Sequence, residues 1–296
     1  MSAARMQTMQ GVLFCMVALT VAAASLWLPR IGTQTELVTI AMLILVLGVP
    51  HGALDIIFAD KLYRVRGYGG WLLFTLAYFL PGILVGLIWY MTPTLFLASF
   101  LAISIAHFSG DLSPGTPPLT RLLYGGAIIV LPTLLHSAEL GQLFSLLVGP
   151  ESARAVLWWL HVLQWPWLFG LVGMALQRLR TERLAGAEIA AVGILAVLAP
   201  PLIAFTVFFC FMHSARHILR TLNYFAQTSP YKILAAAFTP MLLTFALAGV
   251  AWFGLAHFSL DARVLQIVFV GLAALTVPHM GIVEPVRMSG WTKQAG

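Results

Sequence analysis

Charged side chains are scarce in this sequence. Lysine, arginine, aspartate and glutamate make up 9% of its 296 residues, whereas 60% are hydrophobic. Soluble domains are about one quarter charged and could not bury so much apolar surface in their own core. The composition therefore excludes an ordinary soluble protein and predicts an all-α, polytopic transmembrane helix bundle.

Cysteine is nearly absent, and the basic residues form no continuous stripe. The two cysteines, Cys15 and Cys210, both lie inside apolar stretches. Their isolation excludes a disulfide framework and a metal site built on thiolates. The net charge of +6 comes from short clusters between apolar runs. Such clusters indicate the basic bias of cytoplasmic loops and argue against a nucleic-acid partner.

Long apolar runs fill the chain instead. A transmembrane helix needs about 20 mostly apolar residues, and ten such windows are present: 10–28, 36–58, 71–90, 94–112, 122–138, 154–177, 186–199, 201–221, 233–256 and 264–284. We interpret the first as a span, because its apolar run is long for a signal peptide and many spans follow. No internal repeat is visible, so we expect a single membrane-embedded domain over 1–296.

Two parts of this assignment stay open. The segment 139–149 could form an interfacial helix after the fifth span. The pair Pro200 and Pro201 could mark a tight turn between two spans or a kink in one long helix, which leaves nine or ten spans.

The basic residues predict the orientation. With ten spans, every lysine and arginine except Arg30, Arg154 and Arg263 falls on the same side. Because cytoplasmic loops carry an excess of these residues, we expect both termini in the cytoplasm.

Five of the eight histidines share one predicted depth. His51, His107, His213, His217 and His279 fall in the inner halves of their spans. Ionisable groups in hydrocarbon are costly and usually mark function, so this layer predicts a bound metal ion. The outer histidines, at positions 136, 161 and 257, are expected to be polar residues that bond neighbouring helices.

One pair of these histidines has the spacing of a single helix face. His213 and His217 are four residues apart, so both imidazoles can reach one ion. An imidazole set without thiolates suits iron, zinc, copper or nickel. Zinc hydrolases usually use three protein ligands and an activated water, whereas neutral histidines around an open position better fit a ferrous ion that binds O₂. A single H-x-x-x-H predicts one metal centre.

Two aspartates recur at the same spacing. Asp55 follows His51 by four residues, and Asp111 follows His107 by four. A metal-bound imidazole needs its second ring nitrogen oriented, and a carboxylate one turn away on the same or a facing helix can do this. The alternative is that both aspartates are headgroup-level charges that close their helices. The recurrence favours the orienting role.

Four motifs taken together carry a family resemblance. They are GVPHGALD (48–55), AHFSGDL (106–112), FMHSARH (211–217) and VPHMGIVEP (277–285). In this order, on an apolar chain, they resemble the Brp/Blh family of bacterial and archaeal integral-membrane β-carotene 15,15′-dioxygenases. The resemblance spans about residues 40–285.

This resemblance implies a reaction and a ligand set. The family's iron-binding histidines fall on His51, His107, His213 and His217, which would hold Fe²⁺. The implied reaction is cleavage of β-carotene at its central double bond by O₂, giving two retinal molecules. The resemblance also implies a bacterial or archaeal inner membrane and supply of retinal to a rhodopsin there. His279 has no place in this set and is left as an orienting residue or an additional ligand.

Two other function classes remain as alternatives. A metal or proton-coupled transporter also places histidines inside a bundle, but transporters usually show internal repeats and broken helices at the midplane. A non-catalytic carotenoid- or retinal-handling protein would bind pigment without forming retinal. Metal flux without turnover would identify the first, and bound pigment without product the second.

Overall fold

A computed structural model describes residues 3–28, 32–113 and 115–291, and over these ranges the chain is helical with no strand. The all-α prediction is therefore confirmed. The helices are α1 (Ala3–Trp27), α2 (Gln34–Lys61), α3 (Gly67–Met91), α4 (Pro93–Phe108), α5 (Pro118–Val130), α6 (Thr133–Val148), α7 (Pro150–Thr181), α8 (Arg183–Leu198), α9 (Pro201–Tyr224), α10 (Pro230–Gly254) and α11 (Leu260–Met288).

Seven helices among the described residues are long and apolar enough to cross a membrane. They are α1, α2, α3, α7, α9, α10 and α11, and the bent pair α5 and α6 would make an eighth. Helices α4 and α8 have 16 residues each, which is short for a span. Each predicted window contains helix, but the count of ten crossings and the cytoplasmic termini stay predictions.

The predicted window 122–138 is not one continuous helix. Helix α5 ends at Val130, α6 begins at Thr133, and the two are bent by 60°. Pro132 lies at the break, where it has no N–H to continue the backbone ladder. Helix α6 also takes in most of 139–149, the segment proposed as a separate interfacial helix.

The double proline marks a turn between two helices. Helix α8 ends at Leu198, and α9 begins at Pro201. Ala199 and Pro200 between them are extended, with ψ of 149° and 141°. Because the residue before a proline is pushed out of the helical region, Ala199 stops α8.

Helix α9 lies at the centre of the bundle, and α3 lies at its edge. In the most apolar window of α9, 67% of the residues are buried, whereas no residue of α3 is buried. Helix α9 packs against α1, α2, α5, α6 and α8. Among the seven long apolar helices, the one that carries two of the histidines therefore has the most buried apolar window.

Two π-helical segments meet where α2 and α9 cross. They are Ile44–Gly48 in α2 and Phe208–Ser214 in α9, and they pack against each other. A Cβ at Gly48 would collide with the ring of Phe209, so glycine permits this approach. A π turn shifts the direction of the side chains that follow it and frequently occurs at functional sites. Here His51 follows the π segment of α2 and His213 lies within that of α9, so the two residues are close together where the helices cross.

A second close approach joins α4 to α5. A Cβ at Gly125 would overlap the backbone of Ile105 and Ser109 at the end of α4. The absence of a side chain at Gly125 therefore allows α5 to approach the last turn of α4, which carries His107.

Replacing Gly125 with alanine tests this contact. We expect Gly125→Ala to cost about 1–3 kcal/mol through overpacking and to lower the thermal unfolding midpoint in detergent by several degrees. The matched control is Gly173→Ala on α7, where an added Cβ meets nothing within 4 Å. An equal or higher midpoint for Gly125→Ala would contradict the packing argument.

Candidate metal centre

Five buried imidazoles converge from four helices. They are His51 on α2, His107 on α4, His213 and His217 on α9, and His279 on α11, all at most 8% exposed. The ring centroids of His107 and His213 are 4.5 Å apart, and those of His51 and His279 are 5.2 Å apart. We call these five residues the histidine cluster. The predicted layer is therefore one compact group in the structure.

The other three histidines lie elsewhere. His161 Nε2 is 2.8 Å from Ser137 Oγ on the preceding helix, which is the helix-to-helix bond expected of it. His136 Nδ1 lies 3.8 Å from a carboxylate oxygen of Glu139, and the ring of His257 packs against Phe258.

Three members of the cluster have nitrogens closest to one another. His51, His107 and His279 each offer a ring nitrogen, and these atoms all lie within 4.8 Å of one another. This places His279 beside two residues of the implied ligand set. Sequence reasoning had located its depth but not its neighbours, because they lie on other helices.

The cluster fits a metal ion because four of its ring nitrogens are buried without protein partners. Both ring nitrogens of His107, and Nε2 of His213 and His279, have no hydrogen-bond partner among the described residues. Buried polar atoms are almost always paired in proteins, and neutral imidazole nitrogens are ligands for transition metals. The donor set therefore suits one ion held by His51, His107 and His279, and the rings of His213 and His217 lie beside this group without belonging to it.

Both aspartates contact imidazoles, but not those one turn before them. Asp55 accepts a hydrogen bond from Nδ1 of His279 at 2.8 Å, and Asp111 accepts one from Nδ1 of His213 at 3.0 Å. The first bond joins α2 to α11, and the second joins the turn after α4 to α9, so each carboxylate comes from a facing segment and not from one turn away on the same helix. A carboxylate that accepts the Nδ1–H bond leaves the lone pair of Nε2 free. It also makes Nε2 a more basic metal ligand.

His51 and His217 are held by other groups. His51 Nδ1 contacts the carbonyl oxygen of Gly48 in the π segment and lies 3.2 Å from Ser214 Oγ. His217 Nε2 lies 3.4 Å from Thr221 Oγ1. Each ring is thereby oriented through one nitrogen.

A buried ion pair supports α9 between its two histidines. Arg216 donates to both carboxylate oxygens of Glu188 on α8, at 2.6 and 3.0 Å, and its Nε donates to Gln10 Oε1 on α1 at 2.9 Å. Gln10 in turn donates to the carbonyl of Phe211, at 2.7 Å, within the π segment. Sequence reasoning missed Gln10 and Glu188, although each is a polar residue in an apolar window.

Three further arginines hold the end of α4 and the turn after it. Arg287 donates to the carbonyl of His107 at 3.0 Å, and Arg220 donates to the carbonyl of Asp111 at 2.7 Å. Arg121 donates to the carbonyl of Ser109 at 3.1 Å. Cations suit the carbonyl-rich C-terminal end of a helix, and here they also position the turn that carries Asp111.

An apolar groove of about 440 Å³ lies beside the cluster, between α2, α3, α10 and α11. Asp55 and Tyr78 are in its wall, and the Tyr78 hydroxyl donates to Asp55 Oδ2 at 3.0 Å. Ile83 and Leu247 also line it and are 66% and 47% exposed. The groove therefore opens at the outer surface of the bundle, where lipid would contact it.

Comparisons with known proteins agree with these motifs. The family model described as beta-carotene 15,15'-dioxygenase matches residues 42–286. A protein of that name from an uncultured marine bacterium, 66A03, is 33% identical over 264 residues, which cover 82% of this chain and 90% of the relative. No solved structure matches the chain.

Removing the charge of Asp55 tests its orienting role. We expect Asp55→Asn to weaken metal affinity about 10–100-fold, since partners of metal-binding histidines have effects of this size. Metal content after dialysis against graded chelator measures it. The matched control is Asp60→Asn, because Asp60 lies on the same helix and pairs with the exposed Lys61 and Arg66. Equal metal retention by both variants would rule the role out.

Proposed function

Because the chain belongs to the beta-carotene 15,15'-dioxygenase family, we propose that it cleaves β-carotene at the central double bond with O₂ and releases two retinal molecules. The proposal places the enzyme in a bacterial or archaeal inner membrane. One observation carries it: a buried cluster of imidazoles with unpaired nitrogens is joined, through the bond between His279 and Asp55, to the wall of an apolar groove at the surface of the bundle.

The proposed cofactor is Fe²⁺, held within the histidine cluster. His51, His107, His213 and His217 are the proposed donors, and His279 joins them because its Nε2 is unpaired and its Nδ1 is oriented by Asp55. Bound iron would supply the activation of O₂. Neutral imidazoles suit this interior better than carboxylate ligands would, since a buried charge needs more compensation.

The groove is the proposed substrate site. Its volume of about 440 Å³ lies in the range of about 300–1,000 Å³ for small-molecule sites. The polar groups in its wall are largely paired, as the bond between Tyr78 and Asp55 shows. An apolar wall excludes water and fixes the polyene beside the cluster, which contributes orientation rather than acid or base chemistry.

The bilayer is the proposed source of the substrate and destination of the product. β-Carotene dissolves in the hydrocarbon, so it can enter the groove laterally between α3 and α10. Retinal is also apolar and can leave by the same route. From the bilayer, a membrane rhodopsin could take it up.

Two histidine variants test the catalytic proposal. In a host that makes β-carotene, His213→Ala and His279→Ala should each abolish retinal, measured by chromatography, because each removes a proposed donor. His257→Ala is the matched control, since His257 lies outside the cluster. Near-normal retinal from well-expressed His213→Ala protein would refute the proposed site. Normal retinal from His279→Ala alone would restrict the set to the other four histidines.

A bulky substitution in the groove tests the substrate site. Leu243 lines the groove on α10, and Leu243→Trp should reduce retinal formation about tenfold or more by blocking it. Iron content should stay unchanged, because Leu243 is on α10, which carries no member of the cluster. Phe245→Trp is the control, since Phe245 is on the same helix, is 39% exposed and does not line the groove. Equal losses in both variants would contradict this assignment.

A further inference from the structure

A second apolar cavity lies on another side of the histidine cluster. It measures about 80 Å³ and is lined by α4, α5, α6, α9 and α11, so it shares only α11 with the groove. Each helix contributes a buried apolar side chain: Leu97, Ile129, Phe144, Leu202 and Leu265 are at most 9% exposed.

The size and chemistry of this cavity restrict what it can hold. A protein cavity of about 150 Å³ lined by Leu, Ile and Phe stays dry and binds benzene or xenon, and this one has about half that volume. It is therefore too small for a polyene or its ionone ring. A buried water needs two to four polar partners, but Ser104 is the one polar side chain among the described lining residues. A small apolar gas is the occupant that fits.

One layer of phenylalanine rings separates this cavity from the imidazoles. Phe108 lines the cavity, and its ring centroid is 4.9 Å from that of His213. Phe205 also lines it and stacks on Phe209 at 5.3 Å, and Phe209 is 5.4 Å from the ring of His51. One ring, that of Phe108, thus lies between the cavity and His213, and two rings lie between it and His51, on a path that does not pass through the groove.

We propose that this cavity binds dioxygen and delivers it to the histidine cluster by a route separate from that of the carotenoid. We name it the gas cavity. The proposal rests on the proposed function, because O₂ is the second substrate there. A polyene that fills the groove would block access from that side, so a separate apolar site lets O₂ reach the cluster after the polyene has bound.

Xenon is the probe for the site itself. Crystals of the iron-loaded protein, pressurised with xenon, should show an anomalous peak between Phe108, Ile129 and Leu265. Ile129→Phe fills the gas cavity and should remove the peak. Ile129→Leu conserves the side-chain volume and should keep it. An unsubstituted protein with no peak in the gas cavity would overturn the proposal.

Oxygen kinetics test the delivery role. In Ile129→Phe the KM for O₂ should rise about fivefold or more, while the KM for β-carotene and the iron content stay unchanged. Ile129→Leu should behave like the unsubstituted protein. If Ile129→Phe does not fold, Leu265→Phe fills the same cavity from α11 and gives the same readouts. Loss of the xenon peak without a change in the KM for O₂ would overturn the delivery role.

The two proposals fail in different ways. Retinal formation with no xenon peak would refute the gas cavity and leave the proposed function intact. A xenon peak in a protein that forms no retinal would refute the proposed function, and with it the delivery role, but would establish a gas-binding site.

Discussion

A polar nitrogen inside an apolar bundle must find a partner, and this requirement organises the centre of the protein. Asp55 on α2 takes the Nδ1–H of His279 on α11, and Asp111 after α4 takes that of His213 on α9. Each pair ties two helices together that are distant in sequence. In His279 and His213 one nitrogen is thus occupied and Nε2 is left unpaired. The bonds that connect these segments therefore also orient two rings of the metal site.

The carboxylates and arginines in turn need partners of their own. Tyr78 satisfies the second oxygen of Asp55, and Glu188 neutralises Arg216. A buried charge is tolerated only when it is paired and hydrogen-bonded. The network therefore extends outward to Gln10 on α1, which lies outside the residues that match the family model. Within this network the buried Arg216 is compensated by Glu188, and Arg220 is hydrogen-bonded to backbone carbonyls.

The apolar spaces complement this polar scaffold. The groove opens at the surface of the bundle beside Asp55, whereas the gas cavity lies among buried Leu, Ile and Phe side chains behind Phe108. Their volumes differ by about fivefold, which suits a polyene in one and a small gas in the other. An oxygenase that acts on a hydrocarbon must bring both substrates to the same site and exclude water. Two separate routes to the histidine cluster allow this.

The sequence by itself determined the all-α class and the approximate position of most helices, and it singled out the five histidines that the structure brings together. These follow from local properties: the length of apolar runs, the 3.6-residue period and the sidedness of lysine and arginine. It did not determine that α5 and α6 are separated by a bend, that Asp55 contacts His279 and not His51, or that Glu188 neutralises Arg216. Asp55 and His279 are 224 residues apart, and their contact exists only because α2 and α11 pack together. Spacing along a helix is set by the chain itself, but which faces meet is decided by the packing of all the helices at once, so only the tertiary structure settles the partners.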